Sequence, residues 1–330
     1  MMKKPGRILL ICLAALVVVL AVAITFTIGW RPFIGPQRRA ATDRQFERTP
    51  EREARGRYLV EGLLDCGVCH SPRDWTQHGG PQIKGKELTG QILPLTGFPG
   101  LLVAPNLTPD HDTGSLTWTD DQIGRAIREG IRHDDSTLFP AMPYGEYRTL
   151  SDEDLASVVV YLRSLAPVRS PLPPSHINFP LRYLVRSAPQ PVTQPVKGPD
   201  PSDIVARGKY MVGLGCGCHN AVDNLHYAGG DHLAGPWGDV TSANLTPDAS
   251  GINYYNETTF ITALRTGYVG ARSLNSIMPF LTFRNLTDDD LKAIFAYLRT
   301  LPPVRHRVDN SLPPTYCRLC QHKHGGGNQN

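Results

Sequence analysis

The chain has 330 residues, room for two or three domains, and its net charge of +4 comes from 34 basic against 30 acidic residues. Because the charges nearly cancel and no long basic run occurs, the composition argues against a nucleic-acid-binding protein. Frequent glycine and proline, 31 and 29 residues, indicate small domains with long irregular loops.

The N-terminus combines a short positive segment, MMKKPGR, with an uncharged apolar run from Ile8 to Trp30. This run is long enough to cross a bilayer as a helix. Ala21-Val22-Ala23 would suit cleavage of a secretory signal. However, the apolar run continues to Trp30, so residues 1–30 are predicted to be an uncleaved anchor. The polar residues 31–53 lack periodicity and are predicted to be a tether.

The next motif is Cys66-Gly67-Val68-Cys69-His70. Residues i and i+3 share one face of a helical turn, so both sulfurs reach one edge of a haem, and the histidine lies beneath the iron. A disulfide, a redox pair and half of a zinc site are the alternatives. A redox pair does not need the histidine, and no second zinc-type half follows nearby. We therefore predict covalent attachment of haem c, with His70 as an axial ligand.

Methionine commonly occupies the other face of a haem c iron. Beyond the two at the start, the methionines are Met142, Met211 and Met278. Met142 (FPAMPY) and Met278 (SIMPF) precede proline, which suits a loop ligand better than a core filler. Met142 is predicted to be the sixth ligand of the first haem. Met211 lies in a predicted helix and is expected to be replaceable.

A unit that contains these motifs occurs twice, and we call residues 54–168 the first copy and residues 203–305 the second copy. Each has a similar opening (RGRYLV and RGKYMV), a cysteine motif, the pentapeptide NLTPD, a Met-Pro pair and a closing helix with an apolar stripe. Helix boundaries are predicted from capping residues, namely Thr119 with Gln122, Ser151, Thr287, Gly130 and Gly267. The proline-rich residues 169–202 are predicted to be a semi-rigid linker in which FPLRYLVR lies against a domain.

The second cysteine motif is irregular. Only Gly217 separates Cys216 from Cys218, and residues i and i+2 point about 200° apart on a helix. His219 still follows Cys218 directly. The sequence predicts a second haem held by Cys218 with His219 and Met278 as axial ligands. Cys216 is expected to be unbonded or strained into a second thioether.

Residues 306–330 form a tail with Cys317, Cys320, His322 and His324. A third haem site would place its histidine one residue too late, and a metal site is a further possibility. A disulfide between the two cysteines, or an unstructured tail, is the preferred interpretation. The final QHKHGGGNQN is expected to be disordered.

The stretches CGVCHSPRD, NLTPD, FPAMPY and SDEDLASVVVYLRSL resemble the cytochrome c family, and within it the membrane-anchored multihaem cytochrome subunits of periplasmic alcohol and gluconate dehydrogenases. The resemblance covers most of residues 54–305. It implies a mainly α fold with two tandem cytochrome c-like haem domains after a transmembrane helix. It also implies haem attachment at Cys66 and Cys69 with His70 and Met142 as axial ligands. His219 and Met278 match equally well, whereas Cys216 and Cys218 depart from the family spacing.

The expected function is that of an electron carrier rather than an enzyme, with two haems on the periplasmic side of the cytoplasmic membrane. Its donor would be a periplasmic dehydrogenase or a quinol-oxidising complex, and its acceptor a protein such as a terminal oxidase. One alternative is a subunit fixed in a dehydrogenase complex. Another is a dihaem peroxidase, which needs an open or openable iron site. A third is a second copy without haem that only supports a partner complex.

Overall fold

The computed structural model describes residues 4–115, 117–220 and 226–325, and within these ranges the regular structure is mainly helical. The α-helices are α1 (Lys4–Phe26), α2 (Arg31–Ile34), α3 (Pro50–Tyr58), α4 (Cys66–His70), α5 (Asp120–Glu129), α6 (Tyr144–Tyr147), α7 (Asp152–Ser164), α8 (Leu181–Leu184), α9 (Ile204–Gly215), α10 (Glu257–Thr266), α11 (Phe280–Phe283) and α12 (Asp288–Leu298). Leu59–Leu63 forms a π-helical turn, and Val185–Ser187 and Gly217–His219 form 3-10 turns.

Strands occur in the described residues only as short antiparallel pairs. They are β1 (Gln91–Ile92), β2 (Gly100–Leu101), β3 (Val103–Ala104), β4 (His176–Ile177), β5 (His232–Gly235), β6 (Gly238–Thr241), β7 (Tyr268–Val269), β8 (Arg272–Ser273), β9 (Thr315–Tyr316) and β10 (Lys323–His324). β1 pairs with β3, β2 with β4, β5 with β6, β7 with β8 and β9 with β10.

Helix α1 contains the one segment of the described residues that is long and apolar enough to cross a membrane, Gly6–Phe26. None of its 18-residue apolar window is buried inside the protein. A membrane anchor and an N-terminal signal sequence share these properties. The prediction of a mainly helical protein with an N-terminal apolar helix is confirmed.

In each copy, the opening helix crosses the closing helix at a glycine. In the first copy, a Cβ on Gly56 of α3 would lie 1.9 Å from the backbone carbonyl oxygen of Ser157 on α7. In the second copy, a Cβ on Gly208 of α9 would lie 1.9 Å from the backbone carbonyl oxygen of Ala293 on α12. The preceding arginine then pairs with the first turn of the closing helix, as Arg55 does with Asp154 at 2.7 Å. The repeated Arg-Gly-Arg/Lys-Tyr opening therefore specifies a close helix crossing.

The predicted caps are confirmed. Thr119 and Gln122 form a reciprocal capping box on α5, and the Ser151 and Thr287 side chains accept N–H bonds at the starts of α7 and α12. Gly130 ends α5 with a φ of 71°. Gly267 likewise ends α10 with a φ of 77°. These caps place both closing helices as expected.

The two copies pack together through reciprocal tyrosine contacts. The Thr287 N–H donates to the Tyr58 hydroxyl at 3.0 Å, and that hydroxyl donates to Asp290 Oδ2 at 2.5 Å. In return, the Ser151 N–H donates to the Tyr210 hydroxyl at 2.9 Å, and this hydroxyl donates to Asp154 Oδ2 at 2.8 Å. Each copy thus completes the N-terminus of the other copy's closing helix.

A single hydrophobic core accordingly runs through both copies. Fully buried leucines and valines from each side belong to one cluster, including Leu59, Leu63, Val159, Leu291 and Leu298. The mutual burial of apolar surface is the main force that holds the copies together.

Part of the predicted tether is docked rather than free. Arg39 forms ion pairs with Asp121 at 2.7 Å and with Glu129 at 2.8 Å, both on α5. The buried Phe46 follows, with its N–H bonded to Asp120 Oδ2 at 3.0 Å. Helix α3 begins at Pro50, inside the predicted tether of residues 31–53.

The predicted linker, residues 169–202, contacts helix α2. Arg186, in the FPLRYLVR stretch, donates from Nη1 to the Pro32 carbonyl of α2 at 3.1 Å. The 3-10 turn that carries Arg186 therefore lies beside α2.

Candidate haem-binding sites

The first cysteine motif forms α4, one helical turn that begins after Asp65. Cys66 and Cys69 are three residues apart on this turn and therefore share a face, as predicted. Both thiols are free, and burial raises the pKa of each to about 12. A redox CxxC pair works through a thiol whose pKa is lowered. The thiols of this turn thus lack the property that a redox pair requires.

His70 closes the turn with its imidazole buried to 8% exposure. Its Nδ1 lies 2.8 Å from the Pro105 carbonyl oxygen. Because a carbonyl only accepts, Nδ1 carries the hydrogen and Nε2 keeps its lone pair. Burial lowers the pKa of His70, so the ring is neutral near neutral pH. A neutral ring held by its second nitrogen is the form that ligates a metal.

The repeated NLTPD pentapeptide explains how this carbonyl is held. Asn106 Oδ1 accepts from the Thr108 N–H at 3.0 Å and from the Thr108 hydroxyl at 2.8 Å. Its Nδ2 donates to the Val168 carbonyl at 2.8 Å. The buried asparagine therefore fixes the turn directly after Pro105. Asn244 makes the same bonds to Thr246 in the second copy, directly after Ala243.

The Met142 loop is tied to the same turn. Met142 is partly buried against the core, and α6 follows it directly. From α6, the Tyr147 hydroxyl donates to the Leu64 carbonyl, just before Cys66, at 2.8 Å. Two thiols on one face, an oriented neutral imidazole and a tied methionine are a donor set that fits haem c.

The second motif reaches a similar histidine arrangement on a shorter backbone. His70 follows Tyr58 by 12 positions, whereas His219 follows Tyr210 by 9. His219 Nδ1 nevertheless donates to the Ala243 carbonyl at 2.7 Å, and burial lowers the pKa of the ring. The longer first copy contains the π-helical turn Leu59–Leu63, which has no counterpart among the described residues of the second.

The cysteines of the second motif differ from each other in environment. Cys216 ends α9 with a non-helical φ of −112° and packs partly buried against the core. Cys218 lies on the 3-10 turn Gly217–His219 and is exposed. Met278 is partly buried against the core, as Met142 is. Phe283 of α11 lies 3.7 Å from the position of a Cβ on Gly215, just before Cys216. The second methionine loop thus also approaches its cysteine motif.

The two motifs meet at the interface between the copies. Burial, followed by the charges of Asp65 and Cys218, raises the pKa of Cys69. A Cβ on Gly217 would lie 3.7 Å from Glu146 Cγ of α6. Thr282 of α11 donates to Asp65 Oδ1 at 2.8 Å. No local feature of the sequence predicted this juxtaposition.

The cysteines of the tail contradict the preferred interpretation. Cys317 and Cys320 are free thiols, and β9 and β10 order the segment around them. The Nδ1 of His322 lies 2.6 Å from the Cys320 carbonyl oxygen. His306, which the sequence did not single out, lies beside the two cysteines instead of His322. Of the predicted disordered end, residues 326–330 lie outside the described residues.

Comparison with known proteins identifies the family. The family model for cytochrome c matches residues 54–166. The cytochrome c subunit of the quinone-type alcohol dehydrogenase of Gluconacetobacter polyoxogenes is 31% identical, over 84% of this chain and 68% of that subunit. The chain belongs to the cytochrome c family. The resemblance noted in the sequence is therefore confirmed.

Two further relatives extend the comparison of this cytochrome. The cytochrome c subunit of the gluconate 2-dehydrogenase of Pantoea cypripedii is 31% identical, over 75% of the chain and 59% of that subunit. A diheme cytochrome c-type protein of Cereibacter sphaeroides is 28% identical, over 72% of the chain and 82% of that protein. A cytochrome c domain implies covalently bound haem c.

Proposed function

We propose that this protein is a membrane-anchored dihaem cytochrome c. It takes single electrons from a periplasmic dehydrogenase or a quinol-linked donor and passes them to a downstream acceptor such as a terminal oxidase. Its haem domains span residues 54–168 and 203–305 and lie on the periplasmic side of the cytoplasmic membrane. Relatives named as cytochrome subunits of alcohol and gluconate dehydrogenases support this proposal, and make a fixed place in such a complex the second candidate.

The observation that carries the proposal is the meeting of the two cysteine motifs between the copies. When bound, haem supplies a reversible one-electron couple, and the chain sets its potential, separation and docking surface. Thr282 of the second copy donates a hydrogen bond to Asp65, which directly precedes the first motif, and Glu146 of the first copy lies close to Gly217 of the second motif. Two haems attached there would lie near each other, beside the hydrophobic core that both copies share.

In this proposal, each copy supplies the attachment cysteines and the axial ligands of its own haem. Cys66 and Cys69 attach the first haem, and His70 and Met142 are its axial ligands. Cys218 attaches the second, with His219 and Met278 as axial ligands, and Cys216 is unbonded or forms a strained second thioether. A methionine ligand in each copy favours a high potential and leaves no open site for peroxide. This favours a carrier over a peroxidase.

Haem content per chain tests the proposal most directly. We expect two haems in the pyridine haemochrome assay of the purified full-length protein. Mass spectrometry should find both haems retained in Cys216→Ala and one lost in Cys218→Ala, because Cys218 directly precedes His219. Cys12→Ala, outside both copies, is the matched control and should keep both.

Other outcomes would select the alternatives. One haem per wild-type chain would leave the second copy as a structural support. Rapid turnover of hydrogen peroxide would establish a peroxidase. Loss of a haem mass from Cys216→Ala alone would reassign the attachment cysteine.

A further inference from the structure

A second group of metal-binding side chains lies in the C-terminal tail, outside both cysteine–histidine motifs. It consists of His306, Cys317, Cys320 and His324, whose ligand atoms all lie within 4.8 Å of one another. His306 comes from the segment after α12, and the other three come from the β9–β10 hairpin. Two separate segments therefore converge on one point.

The hydrogen bonds of the two histidines leave the lone pairs of both Nε2 atoms directed into the cluster. His306 Nδ1 donates to the Ala228 carbonyl at 2.8 Å, and His324 Nδ1 donates to the Arg307 carbonyl at 3.2 Å. Since a carbonyl only accepts, both rings carry their hydrogen on Nδ1. Their Nε2 atoms then face each other at 3.1 Å, and each presents a lone pair. Two lone pairs in this position repel unless a cation lies between them.

The sulfur atoms complete the donor set. Cys320 Sγ lies 2.9 Å from His324 Nε2, and both cysteines are free thiols. Zinc bonds of about 2.0 Å to nitrogen and about 2.3 Å to sulfur place tetrahedral donors about 3.3–3.8 Å apart. The separations here, 2.9 and 3.1 Å with a maximum of 4.8 Å, bracket that range.

Burial and backbone geometry point to the same chemistry. His306, His324 and Cys320 are only 2%, 3% and 6% exposed. The Cys317 N–H donates to the His322 carbonyl at 2.8 Å, and the Gln321 N–H donates to the Cys317 carbonyl at 2.9 Å. The chain therefore folds tightly between the two cysteines. Buried nitrogen and sulfur lone pairs need an ion or a hydrogen-bond donor to satisfy them.

We propose that His306, Cys317, Cys320 and His324 bind one structural Zn²⁺ ion. Two thiolates and two imidazoles form a closed tetrahedral shell, which suits zinc and leaves no position for a substrate. The backbone carbonyls of Ala228 and Arg307 are the outer partners that orient the two rings. The site does not depend on the number of haems or on the electron partner.

The ion would stabilise residues 228–230, which follow the second cysteine motif in the chain and contact it. Ala228 accepts from His306, and the next residue, Gly229, donates its N–H to the His219 carbonyl at 2.9 Å. A Cβ on Gly230 would lie 3.0 Å from His306 Cε1 and 3.6 Å from Cys320 Sγ. The loop and the proposed zinc site are thus in direct contact.

Metal analysis of the full-length haem-loaded protein tests this proposal. After dialysis against metal-free buffer, wild type should retain about one zinc per chain, measured by mass spectrometry of the elements. Cys320→Ser and His324→Gln should retain at least tenfold less. His322→Gln is the matched control, because His322 lies in the same hairpin but outside the cluster, and it should retain zinc as wild type does.

X-ray absorption at the zinc edge gives a second measurement that needs no variant. Wild type should show two sulfur and two nitrogen neighbours, at about 2.3 and 2.0 Å. A wild-type protein without zinc, in which Cys317 and Cys320 form a disulfide, would overturn the proposal. Copper in place of zinc, or an equal loss of zinc from His322→Gln, would also overturn it.

Discussion

At the scale of single residues, His70 and His219 owe their chemical form to backbone carbonyls. Pro105 and Ala243 accept from the two Nδ1 atoms, and each carbonyl precedes the asparagine of an NLTPD pentapeptide. The repeated pentapeptide therefore orients a metal ligand from a distance in sequence.

The proposed methionine ligands lead to the first residue-scale prediction. Met142→His should lower the potential of the first haem by on the order of 100 mV, because thioether ligation favours reduced iron. Met278→His should do the same for the second haem. Spectroelectrochemical titration measures both potentials. Met211→Leu is the control, because Met211 lies on α9 and is buried in the hydrophobic core. Both haem potentials of this variant should match those of the wild type.

Asp65 gives a prediction on pH. Burial raises the pKa of its carboxyl from 3.8 to about 7, while the Arg73 charge and the Thr282 hydroxyl oppose the shift. A raised folded pKa contributes stability that is complete below about pH 4 and is lost as the pH rises through about 7. Relative to Asp65→Asn, wild type should lose on the order of 4 kcal/mol or less between pH 4 and pH 8. Denaturation at several pH values measures this.

Two parallel curves for wild type and Asp65→Asn would contradict this account. Thr282→Val offers a second check, since removal of the hydroxyl takes away one of the bonds that favour the ionised carboxyl. The pH range over which the stability of this variant falls should then extend to higher pH than in the wild type.

The sequence predicted the single-residue features that depend on local spacing. Cys66, Cys69 and His70 are neighbours on one turn, so a motif suffices to find them. His306 was missed because its partners at 317–324 are brought to it only by the hairpin and by the Ala228 loop. The spacing Cys317-x-x-Cys320 was a usable signal for a metal site, but no sequence pattern indicated His306 as the fourth ligand.

At the scale of elements, the two helix crossings have the same basis, which is a glycine that faces the backbone of the closing helix. Gly56 and Gly208 bring α3 against α7 and α9 against α12, with no space for a side chain. Helix termini were predicted correctly because capping depends on residues three apart in sequence. The docking of residues 39–46 on α5 was not predicted, because ion pairs between distant segments leave no periodic pattern.

Alanine at the crossing glycines should be strongly destabilising. Gly56→Ala and Gly208→Ala should each cost about 3 kcal/mol or more, because backbone atoms on the facing helix cannot move away easily. Gly213→Ala is the matched control. It lies in α9 with nothing within 4 Å of its Cβ position, so alanine should stabilise by up to about 1 kcal/mol. Chemical denaturation of the three variants gives the comparison.

A small loss for Gly56→Ala, similar to that of an ordinary surface substitution, would mean that α3 and α7 separate easily. An effect on Gly208→Ala alone would mean that the two copies do not share one packing arrangement.

At the scale of the whole molecule, the copies are joined by the reciprocal bonds of Tyr58 and Tyr210. Tyr58→Phe and Tyr210→Phe should each lower the free energy of unfolding by about 1–2 kcal/mol, and the double variant by about the sum. Tyr316→Phe is the control, since its ring is 62% exposed, and it should change little. A loss confined to one of the two interface tyrosines would show that the contacts are not equivalent.

Reciprocity at this interface bears on the direction of charge movement. When residue i of one half contacts residue j of the other and the converse also holds, an approximate twofold axis relates the halves. In the proposed dihaem carrier, an electron path across such an axis has the same length whichever haem is oxidised first. Any preferred direction must therefore arise where the halves differ, at CGVCH against CGCH and at the surfaces that meet other proteins.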